Sequence, residues 1–191
     1  MPSLVAMSCE GDARSDEAAW IQAARTDSEA FAPLYFRYRD QVYAYVRTRT
    51  TDPADAEDLT QQVFLRALDA LPRYRERGAP FVAWLFRIAR NTLTDHYRRR
   101  RSTVAWDLVP EILQPTAAHD LEEDAIQREA VDALRVLVRA LDADTRELLA
   151  LRFGARLTVG EIAAVLGKGE AATRKKLART LHALADQLEG V

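Results

Sequence analysis

The sequence of 191 residues contains a single cysteine, Cys9, and only seven glycines and seven prolines. One thiol cannot form an intrachain disulfide, which favours a reducing, cytoplasmic location. No apolar run approaches the roughly 20 residues that a membrane-spanning helix needs. The N-terminus turns acidic at Glu10 and lacks the basic start of a signal peptide. We therefore expect a cytoplasmic protein with no membrane partner.

The patterns that mark enzymes are also missing. The three histidines, His96, His119 and His182, stand in different segments without the spacing of metal ligands. Neither a glycine-rich phosphate loop nor a nucleophile elbow is present. We predict no catalytic residue, no metal, no cofactor and no small-molecule substrate.

The apolar residues recur mainly at three- and four-residue spacing, and runs of β-branched residues are absent, which predicts an all-α protein. Helix starts are predicted at Ser15, Ser28, Asp52-Pro53 and Pro80. We expect two small helical domains, an N-terminal bundle and a C-terminal helix-turn-helix, joined by a flexible acidic linker. The expected boundaries are a tail with a short helix at 1–26, the first domain at 27–101, the linker at 102–131 and the second domain at 132–191.

The formal net charge of −2 hides a strong segregation of charge. Residues 31–101 contain fourteen arginines against eight acidic residues, a net charge of +6. The flanking segments 1–30 and 102–139 carry −4 and −5, and residues 140–191 carry +1. A basic block between two acidic segments indicates an anionic partner for that block.

Within the basic block, arginines alternate with aromatic residues in Arg73-Tyr74-Arg75 and His96-Tyr97-Arg98. This combination suits stacking on unpaired bases together with neutralisation of phosphates. The run of four arginines at 98–101 also favours a nearby anion, although charge runs often serve only to solvate a helix. By contrast, Asp55, Asp58 and Gln62 share one helix face and predict a protein docking surface.

The last sixty residues have the pattern of a helix-turn-helix. Thr158 and Glu161 fit a capping box, Gly167 fits a tight turn, and a longer helix follows from Glu170. A stripe of leucines at 177, 181, 184 and 188 predicts its buried face, and Ala172, Lys175 and Arg179 lie opposite. Such a helix could read the major groove. An ordinary helical hairpin with a solvated basic face has the same spacing.

Three segments together resemble the extracytoplasmic-function (ECF) subfamily of bacterial RNA polymerase sigma factors, which belongs to the sigma-70 family. They are DAEDLTQQVFLRAL at 55–68, FVAWLFRIARNTLTDHYRRRR at 81–101 and LTVGEIAAVLGKGEAATRKKLART at 157–180. The resemblance implies a non-enzymatic protein whose partners are core RNA polymerase and promoter DNA, and it suggests an anti-sigma factor as a further partner.

The resemblance also implies roles for individual residues. Docking on the coiled coil of the polymerase clamp is expected of Asp55, Glu57, Asp58, Leu59, Gln61, Gln62 and Phe64, with Gln62 replacing a usual acidic residue. Contact with the −10 element is expected of Arg73, Tyr74, Arg75, Arg77, Arg87, Arg90, Asn91, Asp95, Tyr97, Arg98 and Arg99. Contact with the −35 element is expected of Glu170, Ala171, Ala172, Arg174, Lys175, Lys176 and Arg179.

Two other classes of function fit parts of the same pattern. A stand-alone helix-turn-helix regulator would bind operator DNA without polymerase. A helical interaction module would use its basic face on an acidic protein, and would keep its function when Lys175 and Arg179 are neutralised together.

Overall fold

The computed structural model describes residues 16–76, 78–99 and 121–189, and the regular structure in these ranges is entirely helical. The predicted all-α class is confirmed. The N-terminal tail with Ser15, the residue Arg77 and most of the predicted linker lie outside the described residues. The helices are α1 (16–24), α2 (Ala32–Arg47), α3 (Pro53–Ala70), α4 (Phe81–Arg99), α5 (Leu121–Ala140), α6 (Ala143–Leu149), α7 (Val159–Leu166) and α8 (Glu170–Glu189).

The N-terminal domain is a bundle in which α2, α3 and α4 pack around one apolar core. Leu34, Leu59 and Phe86 are completely or almost completely buried there. Between α2 and α3, the rings of Tyr35 and Phe64 meet edge to face, with centroids 4.8 Å apart. Such ring pairs add to the stabilisation that burial alone provides.

Helix α1 is held on α2 by the carboxylate of Glu17. The hydroxyl of Tyr38 donates to Glu17, and Nε of Arg37 lies 3.3 Å from the same carboxylate oxygen. Burial, reinforced by the hydrogen bond to Glu17, raises the pKa of Tyr38. The phenol therefore stays neutral and remains a donor across the ordinary pH range.

Two of the predicted helix starts, at Asp52-Pro53 and at Ser28, can be compared with the observed starts of α3 and α2. For α3 the prediction is confirmed, since Asp52 accepts a hydrogen bond from Ala54 N at 2.9 Å and Pro53 is the first helical residue. The cap predicted at Ser28 is wrong. Asp27 accepts from the backbone N–H of Glu29 and starts a 3₁₀ turn over Ser28–Phe31, so α2 begins only at Ala32. Pro33 thereby falls in the first turn, where its missing N–H has no helical acceptor to satisfy.

The C-terminal domain contains the predicted helix-turn-helix. The capping box is confirmed, because Thr158 N donates to Glu161 Oε2 at 2.7 Å and Glu161 N donates back to Thr158 Oγ1 at 3.3 Å. Gly167 ends α7 with φ of +65°, a conformation that glycine adopts without strain. The leucine stripe of α8 is only partly confirmed. Leu177 and Leu184 are buried, but Leu181 is 39% exposed.

Helix α5 begins at Leu121, so the last part of the segment expected to be linker is helical. It packs against α8. A single turn of π-helix, Ala150–Gly154, follows α6 and leads into the helix-turn-helix.

The two domains contact one another directly. Helix α4 packs against α7, and α2 packs against the π-turn. The side chains that join them include Tyr45, Arg49 and Arg90 on the first domain and Glu147 on the second. Residues of both domains therefore contribute to one continuous core.

We predict that the cap of α6 makes stability pH-dependent. The Thr145 hydroxyl and backbone N–H donate to Asp142 and hold the pKa of that carboxyl below its usual range. A lowered pKa means that the stabilisation is present above the ordinary carboxyl pKa and is lost as the pH falls through the folded value.

Thermal unfolding of Asp142→Ala and of the original chain, followed by circular dichroism, checks this. The difference in Tm should be clear at pH 7 and should shrink as the pH falls below the usual titration range of a carboxyl group. A difference that stays constant down to acid would contradict the assignment of the effect to the ionised cap.

Candidate nucleic-acid interface

The outward face of α3 carries the residues predicted to dock on polymerase. Asp58, Gln61 and Gln62 are exposed, as is Glu57, while Asp55 in the first turn is half-buried. Leu59 and Phe64 belong to the same predicted set but are buried in the core, where they position the helix. The prediction thus separates into an exposed polar surface and two supporting core residues.

Leu65 lies on the same outward face and is 62% exposed. It follows Asp58, Gln61 and Gln62 by seven, four and three residues, the spacing that places side chains on one side of a helix. Phe36 on α2 is also highly exposed. The sequence patterns did not predict that Leu65 and Phe36 are exposed, because a leucine or a phenylalanine within an amphipathic helix is ordinarily a core residue.

The loop after α3 holds Tyr74 in an unexpected position. Its ring is only 7% exposed and packs against Phe81 and Trp84, at centroid distances of 5.6 and 4.9 Å. Burial raises the pKa of Tyr74. Its hydroxyl is buried and has no hydrogen-bond partner among the described residues. Tyr74 therefore supports the loop in this structure, and the exposed side chains are those of Arg73 and Arg75.

A cavity of about 350 Å³ separates this loop from α1. Arg25, directly after the end of α1, faces it, together with Tyr74, Arg75 and Glu76 of the loop. The guanidinium of Arg25 also donates to the backbone oxygen of Pro72 at 3.5 Å, which ties the helix to the start of the loop. The loop is thus fixed from both sides, by aromatic rings and by α1.

Helix α4 carries its polar residues along one side. Arg87, Arg90, Asn91 and Arg98 are exposed, and Tyr97 is half-buried. Arg99 is the last residue of the helix. Two of these arginines meet the C-terminal domain: Arg87 donates to the backbone oxygen of Ala164, and Arg90 Nε lies 3.9 Å from Glu147 Oε1.

The carboxylate of Asp95 on α4 links this helix to α3. It lies 3.1 Å from Arg66 on α3 and 3.4 Å from Arg98 one turn further along α4. Arg66 donates in addition to the Thr92 hydroxyl. The carboxylate therefore orients Arg98, and its own charge would repel a phosphate.

Helix α8 presents a basic face to solvent. Its exposed residues from the predicted set are Glu170, Ala171, Ala172, Arg174, Lys175 and Arg179. Lys176 is half-buried and directs its ammonium to Asp142, 3.6 Å away, while Arg174 pairs with Glu170 one turn earlier. Thr173 and Leu177 face inward. The outward face thus combines small residues with Lys175 and Arg179, which allows close approach to a groove and contact with phosphates.

Comparison with known families decides between the possible classes of function. The model of sigma-70 region 2 matches residues 34–103, and the model of sigma-70 region 4 matches residues 137–186. The chain belongs to the sigma-70 family. Its relatives include the ECF RNA polymerase sigma factor BldN of Streptomyces coelicolor, 35% identical in an alignment of 168 residues that covers 83% of this chain and 60% of BldN. SigD of Mycobacterium tuberculosis is 34% identical, over 87% of this chain and 77% of SigD.

Solved structures agree with this assignment of the chain to the sigma-70 family. CnrH, in complex with the cytosolic domain of CnrY, is 26% identical and superposes with a TM-score of 0.61, over 90% of this chain and 95% of CnrH. The sigma factor RpoE from Bartonella quintana, solved with the anti-sigma factor NepR, superposes with a TM-score of 0.59 at 20% identity. The superposition covers 83% of this chain and 96% of RpoE, and it supports the fold. Among the described residues, no helix combines the length and apolar character that crossing a bilayer requires.

Sequence reasoning missed the residues that join the domains of this sigma factor. Tyr45, Arg49 and Glu147 are buried at the interdomain contact. Arg49 and Glu147 are 98 positions apart, and charged residues ordinarily predict a solvated position. One signal could have indicated that Glu147 is buried: it directly precedes the apolar run Leu148 to Leu151, on a short helix with little exposed surface.

We predict that the Tyr74 hydroxyl contributes nothing to folding. Tyr74→Phe removes a buried polar group without a partner among the described residues, so the free energy of unfolding should stay equal or rise slightly. Tyr74→Ala removes the ring from its contacts with Phe81 and Trp84 and should cost about 3–5 kcal/mol. Urea unfolding of the two variants measures both effects. A marked decrease in stability in Tyr74→Phe would show that the hydroxyl has a partner in the folded chain.

Proposed function

We propose that this sigma factor brings core RNA polymerase to promoters through three separate surfaces. The exposed face of α3 docks on the clamp coiled coil, the loop at 73–79 and the polar side of α4 hold the −10 element, and α8 reads the −35 element. The observation that carries the proposal is that an acidic and two basic outward faces lie within the two matched regions.

The docking role of α3 is supported by its composition and exposure. An exposed carboxylate at Asp58 and exposed amides at Gln61 and Gln62 lie on the same face as the exposed Leu65. Interfaces commonly combine an apolar centre with a polar rim. The rest of the domain is rich in arginine, so this face stands out as acidic. A negatively charged face repels DNA and suits a basic protein surface far better.

The −10 role is supported by the arginines of the loop and of α4. Arg73 and Arg75 are exposed at the loop, and Arg98 projects from the far end of α4 with its side chain 74% exposed. Guanidinium groups neutralise phosphates and stack on unpaired bases. Separating the strands costs a few kcal/mol for each flipped base, which such contacts can offset.

The −35 role is supported by the helix-turn-helix geometry. Helix α7 and the left-handed turn at Gly167 fix the entry of α8, and Lys175 and Arg179 occupy its outward face. In this motif the second helix enters the major groove.

The chain itself performs no chemistry in this mechanism. Sigma factors are not enzymes, and polymerase carries out the phosphoryl transfer. We place its action in the cytoplasm, where polymerase and promoter DNA are found. Since a related sigma factor has been solved with an anti-sigma factor, a protein inhibitor of this chain is also part of the proposal.

We predict that Asp58→Arg abolishes binding to core polymerase. The substitution reverses the charge at the centre of the exposed α3 face, where no packing depends on it, so the fold should be retained. Pull-down on purified core polymerase measures binding, and circular dichroism measures folding. Glu29→Arg is the matched control, since it reverses an exposed charge on the same domain outside α3. Full retention of Asp58→Arg on polymerase would refute the docking surface.

We also predict that Arg98→Ala with Arg99→Ala weakens formation of the open complex and flattens its salt dependence. The slope against log salt should fall by about 0.7 for each phosphate of the single strand that the variant no longer neutralises. Run-off transcription from genomic fragments first supplies a promoter, and a fluorescent base analogue in its −10 element then reports opening by the holoenzyme.

Lys175→Ala with Arg179→Ala serves as the comparison for that experiment. This pair should weaken binding to the −35 duplex and leave strand opening on a preformed fork template largely unchanged. An unaltered salt slope in the Arg98 and Arg99 variant would contradict the −10 assignment.

A further inference from the structure

All the lysines of this chain lie in its helix-turn-helix. The sequence contains twenty-four arginines and only three lysines, which are Lys168, Lys175 and Lys176. The basic block at 31–101 contains fourteen arginines and no lysine. The two cations are not chemically equivalent, because a guanidinium keeps its charge whereas a lysine amine can lose its proton and react with an acyl group. Amine chemistry of side chains is therefore confined to the domain proposed to read the −35 element.

Two of the three lysines are engaged in ion pairs within the C-terminal domain. Nζ of Lys168 lies 3.2 Å from a carboxylate oxygen of Asp144, and Nζ of Lys176 lies 3.6 Å from one of Asp142. Both carboxylates belong to the start of α6, so these lysines join α6 to the turn and to α8. Modification of either amine would break such a contact.

Lys175 differs from the other two lysines in its surroundings. It lies on the outward face of α8, and no carboxylate pairs with it among the described residues. Glu170, the acidic residue of the first turn, pairs with Arg174 instead. The residues three and four positions before Lys175, over which its side chain extends, are Ala172 and Ala171. Their small methyl groups leave the amine open to approach from solvent.

The residue one turn after Lys175 is a second cation. Arg179 is exposed on the same face, and the four-residue spacing places the two side chains next to each other. A guanidinium binds phosphate groups through paired hydrogen bonds. Acyl phosphates, and thioesters of a phosphate-bearing carrier such as coenzyme A, have such groups. Arg179 can therefore hold the phosphate of a donor while the acyl carbon meets the amine of Lys175.

We propose that Lys175 is an acylation site, and that a phosphate-bearing acyl donor modifies it to weaken the −35 surface while leaving the −10 surface unchanged. The ammonium first loses a proton to solvent. The neutral Nζ then attacks the acyl carbon, a C–N bond forms, and the bond from that carbon to the oxygen or sulfur of the donor breaks. The phosphate or thiolate leaves with the electron pair, and the second amine proton goes to solvent.

The effect on DNA follows from the charge that the amide lacks. Acylated Lys175 no longer neutralises a phosphate, and its acyl group adds bulk where α8 is proposed to approach the groove. Residues 140–191 have a net charge of only +1, so one acylation removes that excess, whereas the +6 of residues 31–101 is untouched. This effect rests on the proposed function, while the reactivity of Lys175 rests on the described surface alone.

The site is tested first without DNA. The full chain is incubated with acetyl phosphate in one arm and with acetyl coenzyme A in the other, and is then digested with a protease that cuts after glutamate. Cleavage after Glu170 separates Lys168 from the other two lysines, which fragmentation of their peptide distinguishes. Lys175 should be acetylated several-fold faster than Lys168 and Lys176, and the faster arm identifies the donor. Equal rates at the three lysines, or no reaction of Lys175 in either arm, overturn the proposal.

The role of Arg179 is tested with two reagents. Arg179→Gln should slow the acetylation of Lys175 by acetyl phosphate several-fold, because the phosphate loses its guanidinium partner. Acetic anhydride, which has no phosphate, is the matched control and should acetylate Lys175 equally fast in both chains. Equal rates with acetyl phosphate as well would overturn the choice of a phosphate-bearing donor.

The effect on promoter binding is tested with the holoenzyme and a promoter found by run-off transcription. Acetylation should lower the affinity for the −35 duplex about tenfold, the loss expected when a charged hydrogen bond disappears. Opening of a preformed fork template should not change. In Lys175→Arg, acetylation should cause no loss, because arginine is not acylated. Lys168→Arg is the matched control, since it removes another amine and keeps the charge beside Asp144, so it should lose affinity on acetylation as the original chain does.

The outcomes separate this inference from the proposed function. If acetylation weakens Lys175→Arg as much as the original chain, the modified amine lies elsewhere and the proposal is overturned. If Lys175→Ala with Arg179→Ala binds the −35 duplex as well as the original chain, the proposed reading of the −35 element fails instead. The acetylation rates are measured without DNA and decide the site in either case.

Discussion

The carboxylate of Glu147 fixes how the two halves of this molecule meet. The N-terminal domain has an excess of arginine, and two of its guanidinium groups, on Arg49 and Arg90, converge on this one acidic side chain. Because Arg49 is buried, the pair loses its water on closing, and this cost is offset by mutual attraction and by the hydrogen bonds with Tyr45 and Thr48. The packing of α4 on α7 and the close approach at Gly154 belong to the same contact between the domains.

Helices α3 and α4 each have one buried apolar side and one exposed polar side. On α3, Leu59 and Phe64 fill the core while Asp58 and Gln61 face solvent. On α4, Phe81, Leu85 and Phe86 are buried, and the arginines lie on the remaining strip. The first half of α4 is buried on more than one side because α7 covers it, which is why Arg87 and Arg90 touch protein and Arg98 projects into solvent.

The sequence predicts the parts of this fold that local chemistry decides. Asp52 with Pro53, and Thr158 with Glu161, specify helix starts through hydrogen bonds within three residues, and both predictions are confirmed. The start of α2 was missed because Asp27 and Ser28 are both good caps, and only the 3₁₀ turn distinguishes them. The prediction for Leu181 failed because exposure depends on which neighbouring helix is present, and periodicity does not carry that information.

The candidate surfaces were likewise predicted from the sequence only in part. The basic face of α8 follows from helical spacing, whereas the burial of Tyr74 depends on Phe81 and Trp84, which come after a loop. The contact between Arg49 and Glu147 joins residues nearly a hundred positions apart, so no local pattern records it. The roles of the individual surface residues in binding stay predictions.

Burial gives the contact at Glu147 a different response to ionic strength from that of DNA binding. Mobile ions weaken the attraction between arginines and exposed phosphates, since each contact with DNA displaces counterions. They reach a buried pair such as Arg49 and Glu147 far less. Rising salt therefore weakens contacts with nucleic acid more than it weakens the buried ion pair that joins the two domains.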